Sequence, residues 1–302
     1  MNSPQTLSAG TAARPTKNNR NRKTVDILHD MQAADPRLRR DAAILQILRD
    51  AVRRDLLTYH RQSGPKLNST LYWKYEGPEF PIHKVGGKRL PRWKSLTSWM
   101  KVQLCLLSLG EHGFRPFKYQ RHDDLRDELE SKGADQREYM RDRLKRQLRA
   151  VFGNNTPMFF FVVEDLNDRG IPVRPHAHGA IELKPFPVDE IPDPKALRHL
   201  KRIERKKGKE IAEREAGRWI IRAAMRSAAG LVSGPRIASN GVDQSRNVWW
   251  RKPTLPIFND SWVTYCLKNA GEFSPVLSEN RLARDYKMLA QAKKLWDIIR
   301  GT

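Results

Sequence analysis

The residues with the clearest chemical potential are two histidines in the segment VRPHAHGAIEL, residues 173–183. The segment has the composition of a strand, in which alternate side chains point to the same face. His176 and His178 therefore share a face, with Cα atoms about 7 Å apart, and their imidazoles can converge on one divalent cation. The alternative is that both are polar residues on a solvated face, and the His-x-His motif alone does not decide between the two.

A second pair of candidates is the Tyr-x-x-Lys motif formed by Tyr265 and Lys268 in SWVTYCLKNAG, residues 261–271. The pattern predicts a helix, on which a spacing of three places both side chains on one face. A tyrosine hydroxyl with its ordinary pKa of about 10 is a poor nucleophile unless a metal polarises the phosphate it attacks. A lysine one turn away supplies positive charge. The same motif also occurs by chance in many helices.

A third metal ligand is predicted on the strand before the histidines, MFFFVVED, residues 158–165. Glu164 ends this strand and is the first choice, because its carboxylate would project toward the metal. Asp165 is the second choice, since regular pairing would turn it to the opposite face. Glu182 is predicted to be a solvated charge, since it lies four residues beyond His178, about 13 Å along the strand.

These residues need a sheet and helices to position them, and the pattern predicts an α+β fold with a central antiparallel sheet. Residues 158–165 and the histidine segment form its hairpin, and 101–109 (KVQLCLLSL) is predicted as another strand, with a helix as the competing interpretation. Helices are expected over 123–152, 195–226 and 279–300. The predicted divisions are a disordered basic arm (1–25), a helical extension with a Pro/Gly-rich connector (26–92), the main domain (93–272) and a C-terminal helix (273–302).

The charge of the chain points to a polyanionic partner. Its 302 residues carry a formal net charge of +23, which favours nucleic acid, with an anionic membrane surface as the rival. The stretch 195–226 has twelve Lys or Arg against four Glu and is predicted to be a DNA track. Two cysteines, no signal-peptide pattern and no long apolar run predict a cytoplasmic protein.

Taken together, the His-Ala-His strand, Tyr265-Cys-Leu-Lys268 on a later helix and the element order resemble the HUH endonuclease superfamily. The resemblance covers roughly residues 93–271 and is to single-tyrosine initiators of rolling-circle replication in plasmids and phages. It implies that His176, His178 and a third ligand bind Mg²⁺ or Mn²⁺, and that Lys268 assists Tyr265. It also implies that Tyr265 attacks single-stranded DNA, leaving a 5′-phosphotyrosine link and a free 3′-OH.

Three departures from the family's pattern are visible. The family's Thr-rich first strand is weakly represented in VQLCLLSLG, and the loop between the hairpin strands is long. In addition, no second tyrosine lies four residues from Tyr265. A two-tyrosine mechanism is therefore disfavoured. No phosphate-binding G-x-x-x-x-G-K-[ST] motif is present, so an initiator of this kind would need a host helicase as well as a polymerase.

Other functions remain open on the sequence alone. A transposase or relaxase could use the same chemistry. A non-catalytic basic nucleic-acid-binding protein would need the histidines only for structure. A small-molecule metalloenzyme using His-x-His fits poorly with a charge of +23.

Overall fold

The fold is known from a computed structural model. It describes residues 24–53, 57–62, 70–75, 90–108, 114–120, 131, 133, 135–166, 171–230, 248–250, 260–268, 277 and 280–300. Residues 1–23 of the predicted basic arm lie outside these residues, whereas Thr24 and Val25 already belong to a helix. Most of the Pro/Gly-rich connector, 123–130 of the predicted helix over 123–152, and Gly271 at the end of the Tyr-x-x-Lys segment also lie outside them.

The described chain is α+β. Its helices are α1 (Thr24–Ala34), α2 (Pro36–Arg53), α3 (Ser98–Ser108), α4 (Gln136–Phe152), α5 (Pro194–Lys207), α6 (Lys209–Ala228), α7 (Asp260–Leu267) and α8 (Tyr286–Arg300). Its strands are β1 (Leu57–Gln62), β2 (Thr70–Tyr75), β3 (Phe114–Gln120), β4 (Phe159–Leu166), β5 (Pro172–Glu182), β6 (Val248–Trp250) and β7 (Leu282–Arg284). None of the helices among these residues has the length and apolar composition that crossing a bilayer requires.

The main sheet has five strands in the order β6-β3-β5-β4-β7, and every neighbouring pair is antiparallel. The predicted hairpin of β4 and β5 is at its centre. Strands β1 and β2 form a separate antiparallel pair. Strands β3 and β7 were not predicted from the sequence, and β7 takes up three residues of the helix predicted over 279–300.

The two faces of the sheet are covered by different helices. One face, which includes Phe160 and Val162, packs in a core with apolar residues of α2, α3, α7 and α8. Helices on both sides of the predicted divisions at 92/93 and 272/273 contribute to this core. The opposite face, which includes Phe161 and Val163, packs on α4 and α6. Helix α5 packs on α6 through a further apolar cluster.

The predicted strand over 101–109 is wrong, because residues 101–108 belong to helix α3, as the competing interpretation had it. The helix is buried nearly all round, so its apolar residues are continuous rather than periodic, and such a run does not distinguish a buried helix from a buried strand. Thr97 marks its start, since its hydroxyl accepts a hydrogen bond from the Met100 N–H. The Asp41 carboxylate, buried in α2, in turn accepts from the Thr97 hydroxyl and N–H.

Close packing of β4 on β5 depends on Gly179, the residue after His178. A Cβ at this position would overlap the Phe160 carbonyl oxygen and lie 2.7 Å from the Phe161 Cβ. We therefore expect Gly179→Ala to lower the free energy of unfolding by about 1–3 kcal/mol, measured by urea denaturation. An unchanged unfolding midpoint would contradict this packing.

Candidate functional site

The β4–β5 hairpin places three potential metal ligands on one face of the sheet. Glu164 is the register partner of His176, and Val162 is the partner of His178. Directly opposed residues of antiparallel strands share a face, and residues two apart on one strand share it as well. Glu164, His176 and His178 therefore lie together, while Ala177 is buried in the core on the opposite face.

The three side chains form a compact buried cluster. One ligand atom from each lies within 4.8 Å of the other two. A Glu164 carboxylate oxygen, Oε2, is 3.7 Å from His178 Nε2 and 4.0 Å from His176 Nε2. Two imidazoles and one carboxylate suit a divalent transition metal or a catalytic Mg²⁺ or Mn²⁺, so the donor set fits a metal ion. The alternative that the histidines are polar residues on a solvated face is wrong, because they are only 5% and 4% exposed.

Helix α7 brings Tyr265 and Lys268 to this cluster. The Tyr265 ring meets the His178 ring edge-to-face, with the ring centroids 5.1 Å apart. The Lys268 ammonium lies 3.5 Å from the Tyr265 ring centroid and 3.7 Å from Glu164 Oε2. The structure thus gathers all five residues singled out in the sequence, and the tyrosine lies on the same side of the sheet as the histidines.

Trp262 is a component of the site that the sequence analysis missed. Its ring stacks on Tyr265 with centroids 5.5 Å apart, and its indole N–H donates to the Gly179 carbonyl at 2.9 Å. A second indole, that of Trp99 in α3, donates to the Thr264 hydroxyl at 3.0 Å. These two bonds attach α7 to the sheet and to α3. Trp262 lies three residues before Tyr265, so helical spacing could have placed it beside the tyrosine.

Lys118 is a further cation that the sequence analysis missed, because β3 was not recognised as a strand. It is the register partner of His178 on the side of β5 away from β4. It therefore shares the face that carries the cluster. Lys118 is half-buried. An ammonium beside the histidines adds positive charge where a phosphate would approach.

The other two carboxylates considered in the sequence have different surroundings. Asp165 lies at an irregularity in the β4–β5 pairing and is 3.5 Å from the Arg281 guanidinium. Among the described residues, Asp165 is not part of the group that could hold a metal ion. The prediction of a solvated Glu182 is wrong, since this residue is 2% exposed and its carboxylate accepts a hydrogen bond from the Met158 N–H at 3.0 Å.

Burial raises the pKa of Glu182, although the Lys184 ammonium and the Met158 N–H oppose the shift. Because the pKa of Glu182 is higher in the folded than in the unfolded protein, proton binding by its carboxyl group stabilises the fold. This stabilisation is fully present below the unfolded pKa of about 4.5, and it is lost as pH rises through the folded pKa. We therefore expect wild type to lose free energy of unfolding relative to Glu182→Gln between pH 4.5 and pH 8. Urea denaturation at several pH values measures the difference, with Glu190→Gln as the exposed control. A difference in free energy of unfolding between wild type and Glu182→Gln that is constant with pH, or that changes in favour of wild type, would contradict the raised pKa of Glu182.

The arrangement combines groups that handle phosphate esters. A phenol that can act as a nucleophile lies between an ammonium and an imidazole, next to a cluster that can hold a divalent cation. Comparisons of the chain with models of protein families, with characterised proteins and with solved structures found no match. Its function is therefore inferred from these side chains and their geometry.

Proposed function

We propose that the protein is a metal-dependent enzyme of the HUH endonuclease type that nicks and rejoins single-stranded DNA through Tyr265. The observation that carries this proposal is the contact of the tyrosine ring with His178 of the Glu164–His176–His178 cluster. A tyrosine beside a metal-ligating imidazole suits attack on a phosphodiester better than a purely structural role. The net charge of +23 supports a polyanionic substrate.

The reaction follows from the chemistry of Tyr265. Its phenolic oxygen attacks the phosphorus of a phosphodiester, and the bond from phosphorus to the 3′ oxygen breaks. The released 3′ oxygen takes up a proton and becomes a free hydroxyl, while the 5′ phosphate stays on the tyrosine. Rejoining reverses these steps, as a 3′-OH attacks the phosphotyrosine and the phenol is regenerated.

The neighbouring side chains orient the nucleophile and balance its charge. The Lys268 ammonium lies over the Tyr265 ring and stabilises the negative charge that develops as the phenol loses its proton. Trp262 stacks on the Tyr265 ring, and its bond to Gly179 fixes the helix relative to the histidine strand. Lys118 shares the face of the sheet that carries the histidines, and its ammonium would contact a phosphate of the bound strand.

Glu164, His176 and His178 would hold the metal ion, Mg²⁺ or Mn²⁺. When bound, such an ion polarises the phosphate and offsets the charge of the transition state. The ligands leave it net positive, since two of them are neutral imidazoles and one is a carboxylate.

Within this chemistry we propose initiation of rolling-circle replication, with a host helicase and polymerase as partners. The proposal rests on a single tyrosine at the cluster among the described residues. One tyrosine cuts once, so resolving the phosphotyrosine intermediate requires a second active site or water.

The experiment is denaturing electrophoresis after incubation with Mn²⁺ and single-stranded DNA labelled at its 3′ end, the side that stays on the tyrosine. A covalent protein–DNA band that disappears with a chelator supports the proposal. Salt-dependent binding without any such band would favour a non-catalytic nucleic-acid-binding protein instead.

A further inference from the structure

Helix α5 carries a basic stripe that the proposed reaction does not use. We define the basic stripe as five exposed cations at helical spacing, namely Lys195, Arg198, Arg202, Arg205 and Lys206. Offsets of 0, 3, 7, 10 and 11 place them along one face of the helix. With a rise of 1.5 Å per residue, this face is about 16 Å long.

Carboxylates do not neutralise the basic stripe. The only acidic residue within α5 is Glu204, which contacts Lys201 at 3.0 Å on the flank of the helix. Lys201 also contacts Asp189 at 2.6 Å. In the part of the chain that the structure describes, no ion pair involves any of the five cations of the stripe. Their positive charges therefore repel one another unless an anionic partner lies against them.

The basic stripe is on the other side of the sheet from Tyr265. Helix α6 packs on the sheet face opposite to the cluster, and α5 packs on α6 rather than on the sheet. The sequence suggested one continuous track over 195–226, but Gly208, with φ +91°, ends α5 and separates the two helices. The stripe and the Tyr265 site therefore face different sides of the molecule.

We propose that the basic stripe binds the phosphate backbone of duplex DNA. This rests on the proposed function in identifying DNA as the polymer, and it adds a second contact region for the double-stranded part of the substrate. A helix with cations along one face fits a B-DNA groove and its flanking phosphates. Such contacts place the protein on duplex DNA, while the single strand is cut on the other side of the sheet.

Two features favour a duplex over other polyanions. Helix α5 contains no Phe, Tyr or Trp, whereas surfaces for single strands stack bases on aromatic side chains. Its apolar residues, including Leu200 and Ile203, pack inward against α6. The stripe therefore lacks the exposed apolar side chains that let an amphipathic helix enter a membrane surface.

The test compares two variants that each lose two exposed charges from one helix. Arg198→Gln/Arg202→Gln removes part of the stripe, and Lys293→Gln/Lys294→Gln removes charge from α8, on the other side of the sheet. Fluorescence anisotropy measures their binding to a duplex of about 30 base pairs and to a single strand of about 12 nucleotides, from 50 to 200 mM salt.

For the stripe variant we expect duplex affinity to fall at least about tenfold and the slope of log K against log salt to fall by about 2. The α8 variant should change duplex binding much less, and the stripe variant should bind the single strand within about threefold of wild type. Equal losses in both variants, or an equal loss for the single strand, would overturn the proposal.

Vesicles of anionic phospholipid provide a further comparison. If the stripe variant loses vesicle binding while its duplex affinity is unchanged, the stripe is a membrane-surface contact and the proposal is wrong. The absence of a covalent band from wild type would remove the proposed nicking function. It would leave the duplex comparison intact, so the two failures are distinguishable.

Discussion

Tyr265→Phe is expected to lower the yield of covalent protein–DNA adduct at least about a thousandfold, because it removes the attacking oxygen. Binding of single-stranded DNA should change little, since charge dominates affinity and the substitution removes none. The ring should still stack on Trp262 and meet His178, so the melting temperature should stay close to that of wild type. Adduct yield is measured by denaturing electrophoresis and affinity by anisotropy.

The matched control is Tyr286→Phe, which removes the same hydroxyl from an exposed position at the start of α8. It should form adduct at the wild-type rate. If Tyr265→Phe still forms an adduct, another residue is the nucleophile. If both variants lose adduct formation equally, the loss is not specific to the Tyr265 hydroxyl.

Substitution of either histidine is expected to abolish cleavage at ordinary Mn²⁺ concentrations, because each removes one of three metal ligands. Glu164→Gln keeps an oxygen ligand but removes its charge, so its Mn²⁺ requirement should rise by tenfold or more. Both histidines are buried, so His176→Gln and His178→Gln are preferable to alanine, which would leave cavities. The measurement is a Mn²⁺ titration of cleavage.

Thermal melting separates metal loss from misfolding. Saturating Mn²⁺ should raise the melting temperature of wild type, since 100 times the dissociation constant corresponds to about 2.7 kcal/mol. The ligand variants should melt cooperatively without this rise. Asp165→Asn is the matched control for Glu164→Gln, because its carboxylate faces Arg281, and it should keep the wild-type response. A raised Mn²⁺ requirement for Asp165→Asn alone would reverse the assignment of the third ligand.

The histidine hairpin and its carboxylate could be predicted from the sequence because the information is local. Alternation along β4 and β5 fixes which side chains share a face, and the turn-rich sequence between them predicts that they are antiparallel neighbours. The same holds for Tyr265 and Lys268, one turn apart in α7. The contact between α7 and the histidines depends on tertiary packing. It was suggested by the family resemblance and not by any periodicity in the sequence.

What could not be predicted depended on burial and long-range packing. Helix α3 is apolar on all sides because other helices surround it, which removes the amphipathic period that would have identified it. In the sequence, Glu182 resembles an exposed charge at a strand end. In the fold it is buried, and its carboxylate accepts a hydrogen bond from the Met158 N–H of the adjacent segment. The side of the sheet that the basic stripe occupies is set by packing of α5 on α6, and composition does not report it.

The most direct test of the proposed chemistry identifies both ends of the new bond. Single-stranded DNA labelled at its 3′ end is incubated with the protein and Mn²⁺, and the adduct is digested with protease and analysed by mass spectrometry. We predict that the 3′-labelled fragment stays on the protein through a 5′ phosphate, and that the linked peptide contains Tyr265. A label found only in free DNA, or a phosphate linked to any other residue, would contradict the assignment of Tyr265 as the nucleophile.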